Sequence, residues 1–114
     1  MVRSIGWKEL GGLGPTRFLF RGADHGANIC VFEVDFAPGR GPILHRHPYE
    51  EVFVIHEGTA HFTVGGEGLE AGSGQVVVVP ANTPHKFING GEGRLRVTSV
   101  HPRPAIEQED LEER

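Results

Sequence analysis

This sequence has a single cysteine, no long hydrophobic run and no excess of positive charge. Each of these features argues against a class of protein. Cys30 is the only cysteine among 114 residues, so no disulfide can form within the chain and a reducing compartment is expected. The simplest role for Cys30 is that of a small buried residue on a strand. No stretch approaches the roughly 18 apolar residues of a membrane helix, and the N-terminus lacks a signal-peptide pattern. The sequence therefore predicts a soluble, cytoplasmic protein without a membrane partner.

The charge distribution argues against a nucleic-acid partner. Eleven Lys and Arg residues face fifteen Asp and Glu residues, which gives a formal net charge of −4. The last eight residues carry five acids and one base, so this end of the chain accounts for the whole difference. No basic stripe of the kind that binds phosphate backbones is present. We expect the acidic end to be a solvated helical turn or a frayed tail.

Short strands separated by turns explain most of the remaining pattern. The chain contains 17 glycines and 8 prolines, which suit many turns. Residues 29–36 alternate between two faces, with Phe32 and Val34 on one and Glu33 and Asp35 on the other. About nine such segments follow one another, and none has the period of an amphipathic helix. This pattern predicts an all-β sandwich or barrel.

Three details of the strand pattern are specific enough to test. Residues 51–56 and 59–64 flank Gly58 and are predicted to pair as a tight hairpin, since glycine supplies the positive φ that such turns need. A second hairpin is predicted with its tip at Gly65 and Gly66. Residues 75–79 are rich in valine and are predicted to form a strand buried on both faces.

The candidate functional residues begin with two histidines and a carboxylate. Successive side chains of an extended strand alternate faces, so His45 and His47 point the same way. Glu51 keeps that parity if the chain stays roughly extended through Pro48. Imidazole and carboxylate groups together are a common ligand set for a divalent transition metal. His85 follows a turn bounded by prolines and offers a further imidazole.

Written as patterns, these two stretches are G-x5-H-x-H-x3-E-x6-G, from Gly39 to Gly58, and G-x5-P-x-N-x2-H-x3-N, from Gly74 to Asn89. They resemble the two motifs of the cupin superfamily, with the short spacing between motifs that is usual for small microbial members. The family usually has glycine where this chain has Asn82. That position needs a positive φ, and asparagine is the next most tolerant residue after glycine, so we expect the turn to survive.

The resemblance implies a small single-domain, metal-binding cupin with a jelly-roll β-barrel. We divide the chain into an N-terminal arm over residues 1–14, the barrel over residues 15–101 and an acidic tail over residues 102–114. It also implies that His45, His47, Glu51 and His85 are the metal ligands, because they occupy the matching positions of two separate motifs. The other histidines are better explained as surface or hydrogen-bonded core residues: His25, His56, His61 and His101.

Several metals suit three imidazoles and one carboxylate. Affinity order alone does not choose among iron, manganese, cobalt, nickel, copper and zinc. By resemblance, iron(II) or manganese(II) is the expected working metal if the protein handles dioxygen, whereas purification often delivers nickel or zinc. Such an ion keeps open positions at which water, dioxygen or a chelating substrate can bind.

The residues around the metal suggest the type of ligand. Phe53, Phe62 and Phe87 share the parity of ligands or core positions, and a metal in an apolar cup suits a small hydrophobic or aromatic molecule with chelating oxygens. The same phenylalanines could equally fill the interior of so small a barrel. Tyr49 and Gln75 are candidates for orienting the substrate, although each could be structural.

The reaction is the least determined part of the function, because cupins carry out many chemistries on one fold. We expect a dioxygenase-type oxidoreductase of the quercetinase-like sort. Retention of all four ligands argues against a sugar epimerase, and the lack of a second inward acid argues mildly against an oxalate-type decarboxylase. A metal-dependent isomerase or decarboxylase and a non-enzymatic module for a metal or small ligand stay open. A homodimer is expected, since a small jelly roll leaves strand edges that a second subunit can cover.

Overall fold

The computed structural model describes residues 2–113, which form ten strands and one short 3-10 turn at Gly22–Asp24. None of its helical segments is long and apolar enough to cross a membrane within these residues. The strands, numbered in chain order, are β1 Phe18–Arg21, β2 Cys30–Phe36, β3 His45–Arg46, β4 Glu51–Glu57, β5 Thr59–Val64, β6 Glu67–Gly72, β7 Val76–Val79, β8 His85–Asn89, β9 Leu95–His101 and β10 Glu109–Asp110.

The strands form two antiparallel sheets of five strands each. The first sheet has the order β1-β2-β9-β4-β7, and the second has the order β10-β3-β8-β5-β6. Their inner faces enclose one apolar core, as expected for a jelly-roll barrel. The predicted all-β class is therefore confirmed.

Three phenylalanines close the barrel beneath the candidate site. Phe53 of β4, Phe62 of β5 and Phe87 of β8 have ring centroids 5.0–5.4 Å apart, and each side chain is at most 3 % exposed. Burying each ring contributes about 2–3 kcal/mol to stability, and each aromatic pair adds about 1 kcal/mol. Because these residues come from both sheets, their contacts hold the sheets together. Cys30 is fully buried on β2, as the sequence predicted.

The predicted pairing of β4 with β5 is wrong. β4 pairs with β7 and β9, whereas β5 pairs with β6 and β8, so the chain crosses from one sheet to the other at Gly58. Gly58 does adopt a positive φ of 88°, and a Cβ there would lie 2.4 Å from the carbonyl oxygen of Arg94. A hairpin turn and a corner between sheets both need this conformation, so the sequence alone did not separate them. The hairpin at Gly65 and Gly66, between β5 and β6, is confirmed.

Residues 76–79 are also not buried on both faces. β7 lies at the edge of the first sheet and pairs only with β4. Val77 and Val79 face the core, but Val76 and Val78 are 58 % and 63 % exposed. A run of β-branched residues favours any strand, and its composition does not reveal whether a second layer covers the outer face.

The acidic end is neither helical nor frayed over its described residues. β10 pairs with β3, with Glu109 opposite Arg46 and Asp110 opposite His45. The Leu111 N–H donates to the Leu44 carbonyl at 2.9 Å, and the Arg46 side chain forms an ion pair with Glu109 at 3.0 Å. Exposed ion pairs contribute little to stability, so the backbone hydrogen bonds hold β10 against β3 more strongly than this ion pair does. The acidic composition is explained by basic neighbours on β3 and β8.

Asn82 has a φ of 60°, which confirms that this turn needs a left-handed conformation. Its backbone N–H donates to the carbonyl oxygen of His47 at 2.7 Å. The turn before His85 is therefore tied directly to the segment that carries His47. This bond joins the two motifs.

Replacement of Asn82 should report the cost of this conformation. We expect Asn82→Ala to lower the free energy of unfolding by about 1 kcal/mol, and Asn82→Gly to change it by less than about 0.5 kcal/mol. Urea unfolding in the presence of a metal chelator measures both values. Asn28→Ala, at an exposed position outside the left-handed region, is the control. Equal stability of Asn82→Ala and Asn82→Gly would contradict the assignment.

Candidate metal centre

The structure brings the four predicted ligands together. His45 lies on β3 directly opposite His85 of β8, His47 lies in the segment after β3, and Glu51 begins β4. Each side chain is at most 5 % exposed, and one donor atom from each residue lies within 4.8 Å of the others. The quartet thus joins strands of both sheets at one buried point, where it could hold a metal ion.

Backbone carbonyl groups set the orientation of all three imidazoles. Each Nδ1 atom lies at hydrogen-bonding distance from one carbonyl oxygen: His45 from Ile43 at 2.6 Å, His47 from Glu107 at 2.7 Å and His85 from Thr83 at 2.8 Å. A carbonyl only accepts, so each Nδ1 carries the proton. Each Nε2 atom is then left with a lone pair, which is the arrangement seen at histidine metal ligands.

The contacts among these atoms fit a cation at the centre. The Nε2 atoms of His47 and His85 each lie 3.0 Å from Oε1 of Glu51. The His47 Nε2 is buried and makes no hydrogen bond of acceptable geometry. An imidazole lone pair and a carboxylate oxygen repel each other at this distance unless a proton or a metal ion lies between them. Neighbouring ligands of an octahedral ion with bonds of about 2.1 Å are about 3.0 Å apart, which matches the observed spacing.

The second oxygen of Glu51 is held by two groups of β9. Oε2 accepts a hydrogen bond from the Ser99 hydroxyl at 2.5 Å and lies 3.1 Å from Nε2 of His101. Burial opposes ionisation of this carboxyl, but its contacts with His101, His47 and His85 hold the pKa of Glu51 well below its usual range. Glu51 is therefore an anion, and its Oε1 faces the imidazoles of His47 and His85.

A hydrogen-bond chain fixes the tautomer of His101. Burial raises the pKa of Tyr49 to about 12, so its phenol stays protonated. Its hydroxyl lies 2.7 Å from His101 Nδ1 and receives the Glu107 N–H at 3.4 Å. The Tyr49 O–H can then donate to Nδ1, and the His101 Nε2–H can donate to Glu51. The Glu107 peptide unit holds His47 through its carbonyl as well, so the C-terminal segment supports the quartet at two points.

The pKa values of the two histidines of the first motif are shifted in opposite directions. Burial lowers the pKa of His45 below its ordinary value. Burial acts in the same direction on His47, but the adjacent Glu51 carboxylate outweighs it and raises the pKa. Of these two histidines, His47 is therefore the one at which protons compete more strongly with a metal.

A cavity of about 220 Å³ opens above the quartet. Phe53 and Phe87 are in its wall, together with Phe32, Val34 and Phe36 of β2. Three predicted pocket residues, Phe62, Gln75 and Tyr49, are not in the wall. Phe62 is buried in the core, and Gln75 is exposed, with its Oε1 accepting the Gly72 N–H at 2.6 Å. Gln75 lies in the turn before β7, where the alternation of strand faces does not apply, and its side chain stabilises that turn.

Tyr49 contacts the site indirectly. Its ring stacks on His47 with centroids 5.1 Å apart, and its hydroxyl meets His101. It is not among the residues that line the cavity. The structure therefore gives Tyr49 a positioning role within the chain that leads to Glu51.

Sequence reasoning missed His101 and Ser99 as parts of this site. The prediction placed His101 among the isolated histidines, yet it is 2 % exposed and lines the cavity. A signal was available, since Leu95, Val97, Ser99 and His101 share one parity and the face changes from apolar to polar along β9. The interpretation of His56 and His61 as exposed residues is confirmed. His25 is half-buried and stacks on Phe20.

The sequence model of the cupin domain matches residues 32–101, more than half of the chain. The chain therefore belongs to the cupin family. This match covers both motifs and every strand from β2 to β9 except the first two residues of β2.

Individual relatives agree with this assignment. An uncharacterised protein of Methanocaldococcus jannaschii is 33 % identical over 88 residues, which cover 76 % of this chain and 70 % of the relative. Auxin-binding protein 4 of Zea mays is 33 % identical over 93 residues, which cover 72 % of this chain but only 46 % of that protein. Oxalate decarboxylase of Bacillus subtilis superposes with a TM-score of 0.75 over 82 % of this chain and 27 % of its own. At 22 % identity this last likeness concerns the fold alone.

The role of His101 can be measured through metal affinity. We expect His101→Ala to weaken binding of Mn²⁺ or Ni²⁺ by about 10-fold to 100-fold, because Oε2 of Glu51 loses a donor that orients the carboxylate. Isothermal titration calorimetry of chelator-treated protein gives the dissociation constants. His56→Ala, at an exposed histidine, should leave them unchanged. Equal affinities in the two variants would show that His101 does not act on the quartet.

Proposed function

We propose that this cupin binds a divalent transition metal through His45, His47, Glu51 and His85, and that the metal and cavity together take a small hydrophobic molecule with chelating oxygens. The observation that carries the proposal is the set of three Nδ1-to-carbonyl hydrogen bonds around a buried carboxylate. These bonds direct imidazole lone pairs inward. A carboxylate that faces imidazole lone pairs is stabilised only when a proton or a metal ion lies between them, and a metal ion would satisfy all four groups at once.

Iron(II) and manganese(II) are the favoured metals. Manganese gains support from one similar solved structure, that of Bacillus subtilis oxalate decarboxylase with its Mn(II) centres. The donor set of three imidazoles and one carboxylate also suits nickel, zinc, cobalt and copper, so cellular supply would decide among them. Protein purified from cells grown with each metal in turn would reveal the preference.

Loss of two ligands should abolish metal retention. We expect the double variant His45→Ala and His47→Ala to retain less than about a tenth of the metal bound by the wild-type protein after gel filtration, since two of four ligands are gone. Plasma mass spectrometry measures metal per chain. The double variant His56→Ala and His61→Ala removes two exposed histidines and is the matched control. Equal metal content in the two double variants would refute the metal site.

We propose a dioxygenase-type oxidoreductase as the activity. A bound iron or manganese ion would supply Lewis acidity and one-electron chemistry. The chain itself contributes an apolar wall that excludes water from the substrate, with Phe36, Phe53 and Phe87 among its members. His101 and Ser99 hold Glu51 in a fixed orientation beside the reacting group.

Two alternatives, an oxalate-type decarboxylase and a non-enzymatic binding module, require different residues around the metal. An oxalate-type decarboxylase would need an arginine and a second carboxylate near the metal, but among the cavity-lining residues in the described chain Glu51 is the sole acid and no arginine occurs. A non-enzymatic module needs only the cavity and the metal. The similarity to auxin-binding protein 4, which is named for binding a small molecule, favours that second candidate.

Oxygen consumption separates the enzyme from the binding module. We expect iron-loaded protein, purified without air, to consume oxygen with at least one member of a panel of diketones, catechols and flavonols. An oxygen electrode measures the rate, and chelator-treated protein with the same additions is the control. Micromolar binding of a panel member by calorimetry, with no oxygen uptake above the control, would establish the module instead.

We also propose that two copies of this chain associate through the outer face of the first sheet. Valines lie opposite one another on this face of β7, β4 and β9, and Thr98 of β9 borders them opposite Val54; the valines are Val52, Val54, Val76, Val78 and Val100. Such a surface carries no charge that would select a charged partner, whereas a second copy offers the same valines. The open edge of β7 adjoins it, so association of two copies could cover both.

The dimer proposal predicts a change in mass when this surface is charged. We expect sedimentation of the wild-type protein at low micromolar concentration to give a dimer, and the double variant Val76→Glu and Val78→Glu to give a single 12.4 kDa species. Ile88→Glu, at a position 42 % exposed on the second sheet, is the control and should remain dimeric. A wild-type protein that sediments as a monomer would contradict the proposal.

A further inference from the structure

The size of the cavity restricts what can lie beside the quartet. Its volume is about 220 Å³. An apolar cavity of about 150 Å³ accommodates benzene, so this one takes a single substituted six-membered ring or an open chain of similar bulk. A molecule of three linked rings exceeds this volume and could not be enclosed by the cavity. Phe53 and Phe87 are fixed by edge-to-face contacts with each other and with the core, so this side of the cavity is rigid.

The cavity is lined by both polar and apolar groups. Its polar residues are His45, His47 and Glu51 of the quartet together with Ser99, His101 and Gln108. Phe32, Val34 and Phe36 from β2 form an apolar wall, and Pro42 and Ile43 extend it along the following loop. A ligand that contacts both therefore has a polar head and an apolar body. Four protein donors leave two positions on an octahedral ion, which suits a head with two oxygen atoms.

Charge restricts the ligand further. None of the lining residues that the structure describes is a lysine or an arginine. Arg103 packs over the Tyr49 ring at 5.4 Å and is not part of the lining. Three neutral imidazoles, the Glu51 anion and a divalent ion together carry one positive charge. A bound monoanion makes the site neutral, whereas a dianion leaves an uncompensated negative charge against an apolar wall, which is costly.

We propose that the ligand class of this cavity is a monoanionic chelator with two oxygen donors and an apolar body no larger than one substituted ring. Enolates of short diketones and ring compounds with adjacent hydroxyl and keto oxygens have this chemistry. Dicarboxylates and flavonoids do not. This inference rests on the proposed metal site and adds to it the charge and size of the ligand.

A set of four probes tests charge and size separately. Nickel-loaded full-length protein is titrated by calorimetry with maltol, acetylacetone, oxalate and the flavonol quercetin. Each affinity is divided by the affinity of the same probe for aqueous Ni²⁺. This ratio corrects for differences among the probes in their strength as nickel chelators. We expect the corrected affinities of maltol and acetylacetone to exceed those of oxalate and quercetin by at least tenfold. Nickel content is measured after each titration to detect removal of the metal.

A change in the wall provides an independent test. Val34→Phe should reduce maltol binding at least tenfold by filling the cavity, and the milder Val34→Leu should reduce it less. Val31→Phe places the same ring on the opposite face of β2 and should leave maltol binding unchanged. The nickel content of each variant shows whether weaker maltol binding results from the changed wall or from loss of the metal.

The outcomes have different meanings. Oxalate binding as tight as that of maltol would overturn the charge argument, and tight quercetin binding would overturn the size argument. Unchanged maltol binding in both Val34 variants would place the ligand outside this cavity. A wild-type protein that takes up no nickel would refute the metal site itself, and this inference with it.

Discussion

The Glu51 carboxylate is the group on which the organisation of this protein depends. One of its oxygens lies 3.0 Å from His47 and from His85, and the other is held by Ser99 and His101. These partners come from both sheets, so the carboxylate is satisfied only when the barrel is closed. An unpaired buried carboxylate is destabilising. The fold reduces that cost because Ser99 and His101 hold one oxygen, while His47 and His85 face the other and can share a proton or a metal ion with it. The same arrangement prepares a place for a cation.

The C-terminal segment belongs to this arrangement, although its composition suggests a solvated tail. The Glu107 peptide accepts from His47 and donates to Tyr49, while β10 pairs with β3 beside His45. The segment thus orients one ligand directly and another through the chain from Tyr49 to His101. Backbone atoms make these contacts, and any residue type supplies them. Nothing in the acidic side chains of residues 107–113 could have revealed the role.

The cavity follows from strand alternation around the same carboxylate. Phe32, Val34 and Phe36 face inward because every second residue of β2 does so, and Ser99 and His101 face inward from β9 for the same reason. His45, His47, Glu51, Ser99 and His101 supply polar groups to the cavity, and phenylalanines and Val34 supply much of its apolar lining. The cavity therefore suits a ligand with a charged chelating head and an apolar body.

Local periodicity predicted the all-β class, the inward faces of β2 and β4, and the shared parity of His45, His47 and Glu51. The resemblance to the two cupin motifs predicted the left-handed turn at Asn82 and added His85 to the ligands. Tertiary structure decided the rest: that Gly58 turns a corner between sheets, that Val76 and Val78 lie outside, and that His101 contacts Glu51. These features depend on which strands become neighbours. That choice is made by burial of the whole core and by backbone pairing across 20 residues or more of chain, and no single segment encodes it.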